Sequence, residues 1–184
     1  VNDDGTITIP EDETVTYKRN TVTKTGTIPT ATAGSDGTIT DDDKPFTIEE
    51  TGKTGDAIEI TVPSRDGYTT APATVTATVT PDGTITIPTD TKVTYTPKAF
   101  TDTITIPSTT QYGGGATTDD TPISVEVTGR TGEEVPIAVP EKPGDTASQT
   151  TVTGTVNPDG TISISEKTTI TYTPNPVTNT VSIP

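Results

Sequence analysis

The chain has 184 residues, 27% of them hydrophobic, and carries a net charge of −15 with a pI of about 4.1. That charge opposes binding to nucleic acid or to an anionic membrane. The absence of Cys and His removes disulfides, thiolate metal sites and the commonest acid–base catalyst.

Leu, Met and Trp are missing too, while about a quarter of the residues are Thr. A β-branched residue suits a pleated surface. Thin β modules, each burying one modest apolar layer, are therefore expected rather than a thick core. No apolar run approaches the ~20 residues of a membrane-spanning helix. No signal peptide is recognisable, and the segment reads as a mature or excised part of a longer protein.

Three near-copies of one stretch organise the chain. An Asp-Gly turn recurs at Asp4-Gly5, Asp82-Gly83 and Asp159-Gly160, and a tyrosine at Tyr17, Tyr95 and Tyr172. The Asp positions 4, 82 and 159 lie 78 and then 77 residues apart. A period of that size means tandem modules. Residues 1–29 read as the C-terminal strands of a preceding repeat, 30–107 as a first β repeat and 108–184 as a second.

In chain order, Ile7 and Ile9 alternate with Thr, a polar turn follows at 11–13, and Val15 and Tyr17 alternate again. This is the pattern of a hairpin with one apolar face. In the first repeat the loop Gly34–Asp43 leads into Phe46 and Ile48. Then come the turn Thr51–Gly55, the alternation Ile58, Ile60 and Val62, and the loop Ser64–Pro72. Val75, Ala77 and Val79 follow, then Ile85 and Ile87, Val93 and Tyr95, and Ile104 and Ile106. Each is a short period-2 run bounded by Gly, Pro or Asp, and no helical periodicity appears.

Residues 51–107 align without gaps to 128–184, with about half of the positions identical. The inward positions stay apolar throughout: Ile60 matches Ile137, Val75 matches Val152, Val93 matches Ile170 and Tyr95 matches Tyr172. The fold class expected is mainly β, as tandem elongated small modules. Immunoglobulin-like β-sandwich repeats are one architecture that short alternating strands suit.

Few residues offer chemistry. No Gly-rich phosphate loop is present, since Gly113–Gly115 lacks a following Lys and helix. The chain is therefore read as no enzyme, with no cofactor required. The acidic cluster Asp41, Asp42 and Asp43 has a counterpart in Asp119 and Asp120. Clustered carboxylates in a loop are hard oxygen donors that suit a structural calcium ion, against the plainer role of solvated turn acids. Tyr68 and Tyr112 lie in loops and are unmatched in the other repeat. Such aromatics stack on sugar faces, against simple loop packing. An isopeptide crosslink common to both repeats is not expected, because Lys53 matches Arg130 and Lys98 matches Asn175.

The segment Thr51–Pro97, with its TGKTG turn, Asp66-Gly67-Tyr68 and the closing Val93–Pro97 strand VTYTP, resembles the mucin-binding (MucBP and Mub-type) repeats of lactobacillus and streptococcus surface proteins. The second repeat keeps TGRTG at 128–132 and ITYTP at 170–174, and departs from the pattern at Asp145. The resemblance implies β-grasp (ubiquitin-like) modules of an extracellular, cell-wall-anchored bacterial adhesin. Its partners would be host mucin or another glycoprotein, in some members immunoglobulin, with neighbouring repeats of the same chain beside it. A passive stalk that spaces a separate binding head from the wall is the alternative, since loops that diverge between repeats do not repeat a binding site.

Overall fold

A computed structural model gives the fold; it describes residues 2–7, 9, 14–34, 36–42, 44–165 and 167–181. The protein is mainly β, with no helix among the described residues. The first nine strands are β1 (Thr21–Ile28), β2 (Thr30–Ala33), β3 (Ile39–Asp41), β4 (Phe46–Lys53), β5 (Ala57–Thr61), β6 (Tyr68–Ala71), β7 (Thr74–Val79), β8 (Ile85–Thr86) and β9 (Val93–Pro97). The next nine are β10 (Ala99–Ile106), β11 (Ser108–Gln111), β12 (Thr117–Asp119), β13 (Ile123–Arg130), β14 (Glu134–Ala138), β15 (Asp145–Ala147), β16 (Thr151–Val156), β17 (Ile162–Ile164) and β18 (Ile170–Pro174). The second nine repeat the first in order and in pairing.

The chain forms two compact units. The first comprises Val1–Ile28, Phe46–Thr61 and Thr74–Thr91. It holds the antiparallel ribbon β1-β4, in register from Thr21 opposite Lys53 to Ile28 opposite Phe46, and the three-stranded sheet β5-β7-β8. Ile28, Ile48, Ile60, Val75, Ala77 and Val79 are buried here. The Thr residues between them face outward, and pairs such as Thr23 and Thr51 hydrogen-bond across the ribbon at 2.7 Å.

The second unit comprises Pro29–Pro45, Val62–Ala73 and Lys92–Pro184. It contains the mixed sheet β3-β2-β9-β6, whose central pair β2 and β9 is parallel, and a second sheet of the same design, β12-β11-β18-β15. It also holds the ribbon β10-β13 and the sheet β14-β16-β17. One apolar cluster joins the ribbon β10-β13, the sheet β14-β16-β17 and β18, built on Ile104, Ile106, Ile137, Val156, Ile170 and Tyr172.

The Asp-Gly turns form as expected. Asn157 donates its amide to Thr161 O at 2.8 Å, and Gly160 donates to Asn157 O at 3.1 Å. Asp159 Oδ1 accepts from the Thr161 amide at 3.0 Å. The same arrangement stands at residues 2–6 and 80–84. Gly83 and Gly160 sit at φ of 82° and 92°, a region that L side chains enter only with strain.

The first segment differs from expectation. Residues 14–20 form no strand, and Ile7, Ile9, Val15 and Tyr17 are exposed, Tyr17 by 90%, whereas its counterparts Tyr95 and Tyr172 are exposed by 4% and 5%. The turn expected at 11–13 lies outside the described residues. The reason is tertiary: β8 and β9 are held by β7, β2 and β6, and among the described residues no strand pairs with residues 2–17. A hairpin without a third partner gains too little burial to order itself. Val177 is likewise 90% exposed, although its counterpart Phe100 lies in β10 against β13.

Burial predicts the stability map. Ile137→Ala or Ile170→Ala should each cost about 2–5 kcal/mol in urea denaturation, and Ile7→Ala or Val177→Ala less than about 0.5 kcal/mol. A loss at Ile7 as large as that at Ile170 would show that the N-terminal segment packs in solution.

Candidate functional site

The parallel pairing of β2 with β9 brings Thr30 opposite Val93 and Thr32 opposite Tyr95. The loop from β5 to β6 then delivers Arg65 onto this sheet. Its Nη1 donates to Thr32 Oγ1 at 2.7 Å and its Nη2 to Asp42 Oδ2 at 3.0 Å. The guanidinium lies 4.1 Å from the centre of the Tyr95 ring and 5.5 Å from that of Tyr68. Asp42 also accepts from Thr30 Oγ1 at 2.8 Å and from Thr32 Oγ1 at 2.7 Å. The Tyr95 hydroxyl donates to Pro63 O at 2.9 Å. Planar Arg meets both a carboxylate and a ring face, so the geometry uses the residue fully.

The second repeat builds the same arrangement from different residues. Lys142 Nζ donates to Thr110 Oγ1 at 2.6 Å and to Asp120 Oδ2 at 3.2 Å, lies 3.5 Å from Asp145 Oδ2, and sits 5.4 Å from the centre of the Tyr172 ring. Thr110 donates to Asp120 Oδ2 at 2.7 Å, and the Tyr172 hydroxyl to Pro140 O at 2.6 Å. A cation held between an acid and a tyrosine is thus a feature of each repeat.

Beside the first of these lies a cavity of about 470 Å3, lined by the loop Ser64–Tyr68, by Lys98 and by the turn Asn157–Asp159. Tyr68 forms one wall, half-buried, and pairs with Pro97 at the start of β6. Lys98 is exposed, and its ammonium has no ion pair or hydrogen bond among the described residues. Ser64 and Asn157 add neutral polar groups, and Asp66 a carboxylate. An aromatic face with flanking donors and acceptors can hold a polar ring-shaped ligand by stacking and hydrogen bonds.

The other anticipated residues lie elsewhere. Tyr112 is exposed in the β11–β12 hairpin, where its amide donates to Ala116 O at 2.9 Å, and it does not line the cavity with Tyr68. Asp41 pairs with Lys92 and is exposed. Asp119 is exposed at the end of β12, opposite Thr109. Asp42 and Asp120 are engaged by Arg65 and Lys142, and Asp43 lies outside the described residues. Among the described residues no group of three or more acidic side chains converges to hold a metal ion.

Arg65 and Lys98 were not anticipated from the sequence. A signal for the first existed: Arg65 matches Lys142 where Asp42 matches Asp120 and Thr32 matches Thr110. No protein-family model matches the chain, and no curated protein matches it.

Asp42 and Asp120 contribute to the pH response, beside the lowered turn acids Asp4, Asp36, Asp56, Asp82 and Asp159. Burial pushes Asp42 up, but hydrogen bonds from Thr32 and Thr30 and the Arg65 charge outweigh it and hold Asp42 below the ordinary value of 3.8. Hydrogen bonding from Thr110 lowers Asp120 in the same sense, helped by Lys142. Burial pushes Lys142 down, yet Asp120 and Asp145 raise it above 10.5 overall. A depressed acid contributes stability that is complete above its unfolded pKa and lost as pH falls through its folded one. A raised Lys contributes stability present below 10.5 and lost as pH rises through its higher folded value. The urea midpoint should therefore be level from about pH 5 to 9 and drop below about pH 4. Asp42→Asn and Asp120→Asn should each shrink that acid-side drop, and an unchanged drop in both variants would refute the assignment.

Proposed function

We propose that this protein is a set of repeat modules from a bacterial cell-surface adhesin, anchored outside the cell at the wall, that holds host mucin-type glycoproteins without catalysis. The observation that carries the reading is Tyr68, an aromatic at the start of β6 with its ring beside a polar cavity of about 470 Å3 that is also lined by Lys98, whose ammonium is unpaired among the described residues. Carbohydrate recognition uses such a surface: an apolar ring face for stacking and nearby donors and acceptors for hydroxyls. The resemblance of Thr51–Pro97 to mucin-binding repeats points the same way. Immunoglobulin is the other partner class that this resemblance implies. Affinity per site would be low and raised by multivalent presentation on both sides.

The same reading takes the modules as β-grasp-like. The sheet order β3-β2-β9-β6 has a central parallel pair flanked by antiparallel neighbours, which is the strand arrangement that fold requires. Here strands β4 and β5 lie along the connection from β3 to β6, where that fold has its helix, and β7 and β8 lie along the connection from β6 to β9.

A second reading, a passive stalk, has its own support. The equivalent loop of the second repeat lines a cavity of about 300 Å3 that has no aromatic wall, because Asp145 stands where Tyr68 does, while the cation–acid–tyrosine arrangement is present in both repeats. The stalk reading takes the repeated part as scaffold and leaves binding to another domain.

Surface plasmon resonance on immobilised mucin glycoproteins separates the two. Saturable binding is expected, about 5- to 10-fold weaker for Tyr68→Ala given the usual worth of an aromatic contact, and unchanged for Tyr112→Ala. A parallel run in EDTA tests the calcium expected at Asp41–Asp43 and Asp119–Asp120. Absence of saturable binding by the folded protein would remove the adhesin reading and leave the stalk.

A further inference from the structure

The chain contains Asp-Gly pairs at Asp4, Asp36, Asp66, Asp82 and Asp159. This dipeptide is open to one reaction that needs no partner. The glycine nitrogen attacks Cγ of the protonated aspartic side chain, because no Cβ shields the approach. An N–C bond forms and a C–O bond breaks, and the amide proton leaves with the side-chain hydroxyl as one water. The product is a cyclic succinimide. Water then opens the ring on either side. Opening at Cγ restores aspartate; opening at the α-carbonyl leaves isoaspartate, whose main chain runs through Cβ and Cγ. No oxidant, reductant or cofactor enters.

Four of the pairs are held against this reaction in one manner. The glycine amide closes the turn: Gly5 donates to Asn2 O at 2.9 Å, Gly37 to Gly34 O at 3.1 Å, Gly83 to Thr80 O at 3.0 Å and Gly160 to Asn157 O at 3.1 Å. The carboxylate is pinned by the Thr two residues on, whose amide and hydroxyl both donate to Oδ1. Hydrogen bonds from Thr also hold these four carboxyls below the ordinary value of 3.8, so the protonated, reactive form is scarcer.

Asp66-Gly67 is built differently. Its turn is closed one residue later, by the Tyr68 amide donating to Arg65 O at 3.0 Å, so Asp66 and Gly67 are the two central residues. The Gly67 amide has no acceptor among the described residues. Tyr68 stands where the other turns have Thr, and it does not pin the acid. Asp66 is exposed, and its carboxylate has neither hydrogen bond nor ion pair among the described residues. The second repeat has Pro143 at this place and no carboxyl to react.

Gly67 also anchors its surroundings. Its carbonyl accepts from the Lys98 amide at 2.8 Å and from the buried Thr131 hydroxyl at 2.8 Å. A Cβ on Gly67 would lie 2.7 Å from Thr131 Oγ1 and 2.8 Å from Pro158 Cα. So tight a fit cannot take an extra main-chain carbon before Gly67 without moving this carbonyl. We infer that Asp66 is a self-modification site: the folded chain converts Asp66-Gly67 to isoaspartate in preference to its other four Asp-Gly pairs, and the conversion releases the clasp of Lys98 and Thr131 on Gly67. The inference does not depend on the adhesin reading.

Prolonged incubation of the full chain at neutral pH tests it, with isoaspartate located afterwards by proteolysis and fragmentation mass spectrometry. In the folded protein the Asp66 peptide should carry at least about 5-fold more isoaspartate than any other Asp-Gly peptide, the factor that one lost hydrogen bond is worth. In urea, where the turns are lost, the five pairs should convert at similar rates. Asp66→Glu closes a larger ring slowly and should remove the signal with an unchanged circular dichroism spectrum. Isomerised chains, isolated by anion exchange, should show faster hydrogen exchange at the Lys98 and Thr131 amides. No isoaspartate at Asp66, as much at any of the other four, or the same Asp66 lead in urea would overturn the site, and unchanged exchange at both amides would overturn the release.

Discussion

The structure depends on β2 lying parallel to β9, and β11 to β18. These strands are about sixty residues apart in sequence, and a parallel pair cannot be made by a tight turn. The chain must leave after β3, form β4 and β5, come back for β6, leave again for β7 and β8, and return as β9. This excursion is why each repeat needs nine short strands and over seventy residues to build a four-stranded sheet. It is also why a fragment of a repeat gains little: a closing strand has no ladder until the opening strand is in place.

The cation over the tyrosine is what the parallel pair makes room for. Thr32 opposite Tyr95, and Thr110 opposite Tyr172, put a hydroxyl and a ring on adjacent strands. Arg65 or Lys142 then bridges the ring, the hydroxyl and an acid from the loop after β3 or β12. Both cations are about two-fifths exposed, so solvent screens the ion pair, and its electrostatic worth is small. The arrangement does its work through geometry. It ties two loops to the sheet with neutral as well as charged hydrogen bonds, and no buried side-chain polar atom among the described residues is left without a partner.

Much of this was legible in the sequence, and the failures have one cause. Val75, Ala77 and Val79 alternate with Thr, and a half-buried strand leaves that mark wherever it occurs. Tyr95 and Tyr172 share parity with buried neighbours and are themselves buried. Ile7, Ile9, Val15 and Tyr17 carry the same mark, yet they are exposed, because alternation is local whereas burial requires strands supplied by distant sequence. The acidic cluster shows the same difference between local sequence and tertiary placement. Asp41 and Asp42 are adjacent in sequence but belong to separate ion pairs, with Lys92 and Arg65. Arg65 itself has no periodicity to betray it. Only its match to Lys142, read together with Asp42 to Asp120 and Thr32 to Thr110, marks a site, and that is a comparison of three positions rather than one.

A chain with 11 cationic side chains against 26 acidic ones has few cations to spare, and their placement separates scaffold from site. Arg65 and Lys142 hold the sheets, Lys92 and Arg19 bind Asp41 and Asp56, and Arg130 caps Pro97 O. Lys98 does none of this, although it lines the same cavity as Tyr68. Arg65 also lines that cavity, but its guanidinium nitrogens already donate to Thr32 and Asp42, and its face lies on Tyr95. Removing Arg65 would therefore loosen the sheet and the cavity together and would say little about a ligand. The second repeat keeps the glycine of this wall as Gly144 and replaces Ser64, Asp66, Tyr68 and Lys98 with Glu141, Pro143, Asp145 and Asn175. What distinguishes one repeat's cavity from the other's therefore resides in these exchanged side chains and in the turn Asn157–Asp159, which lines the first.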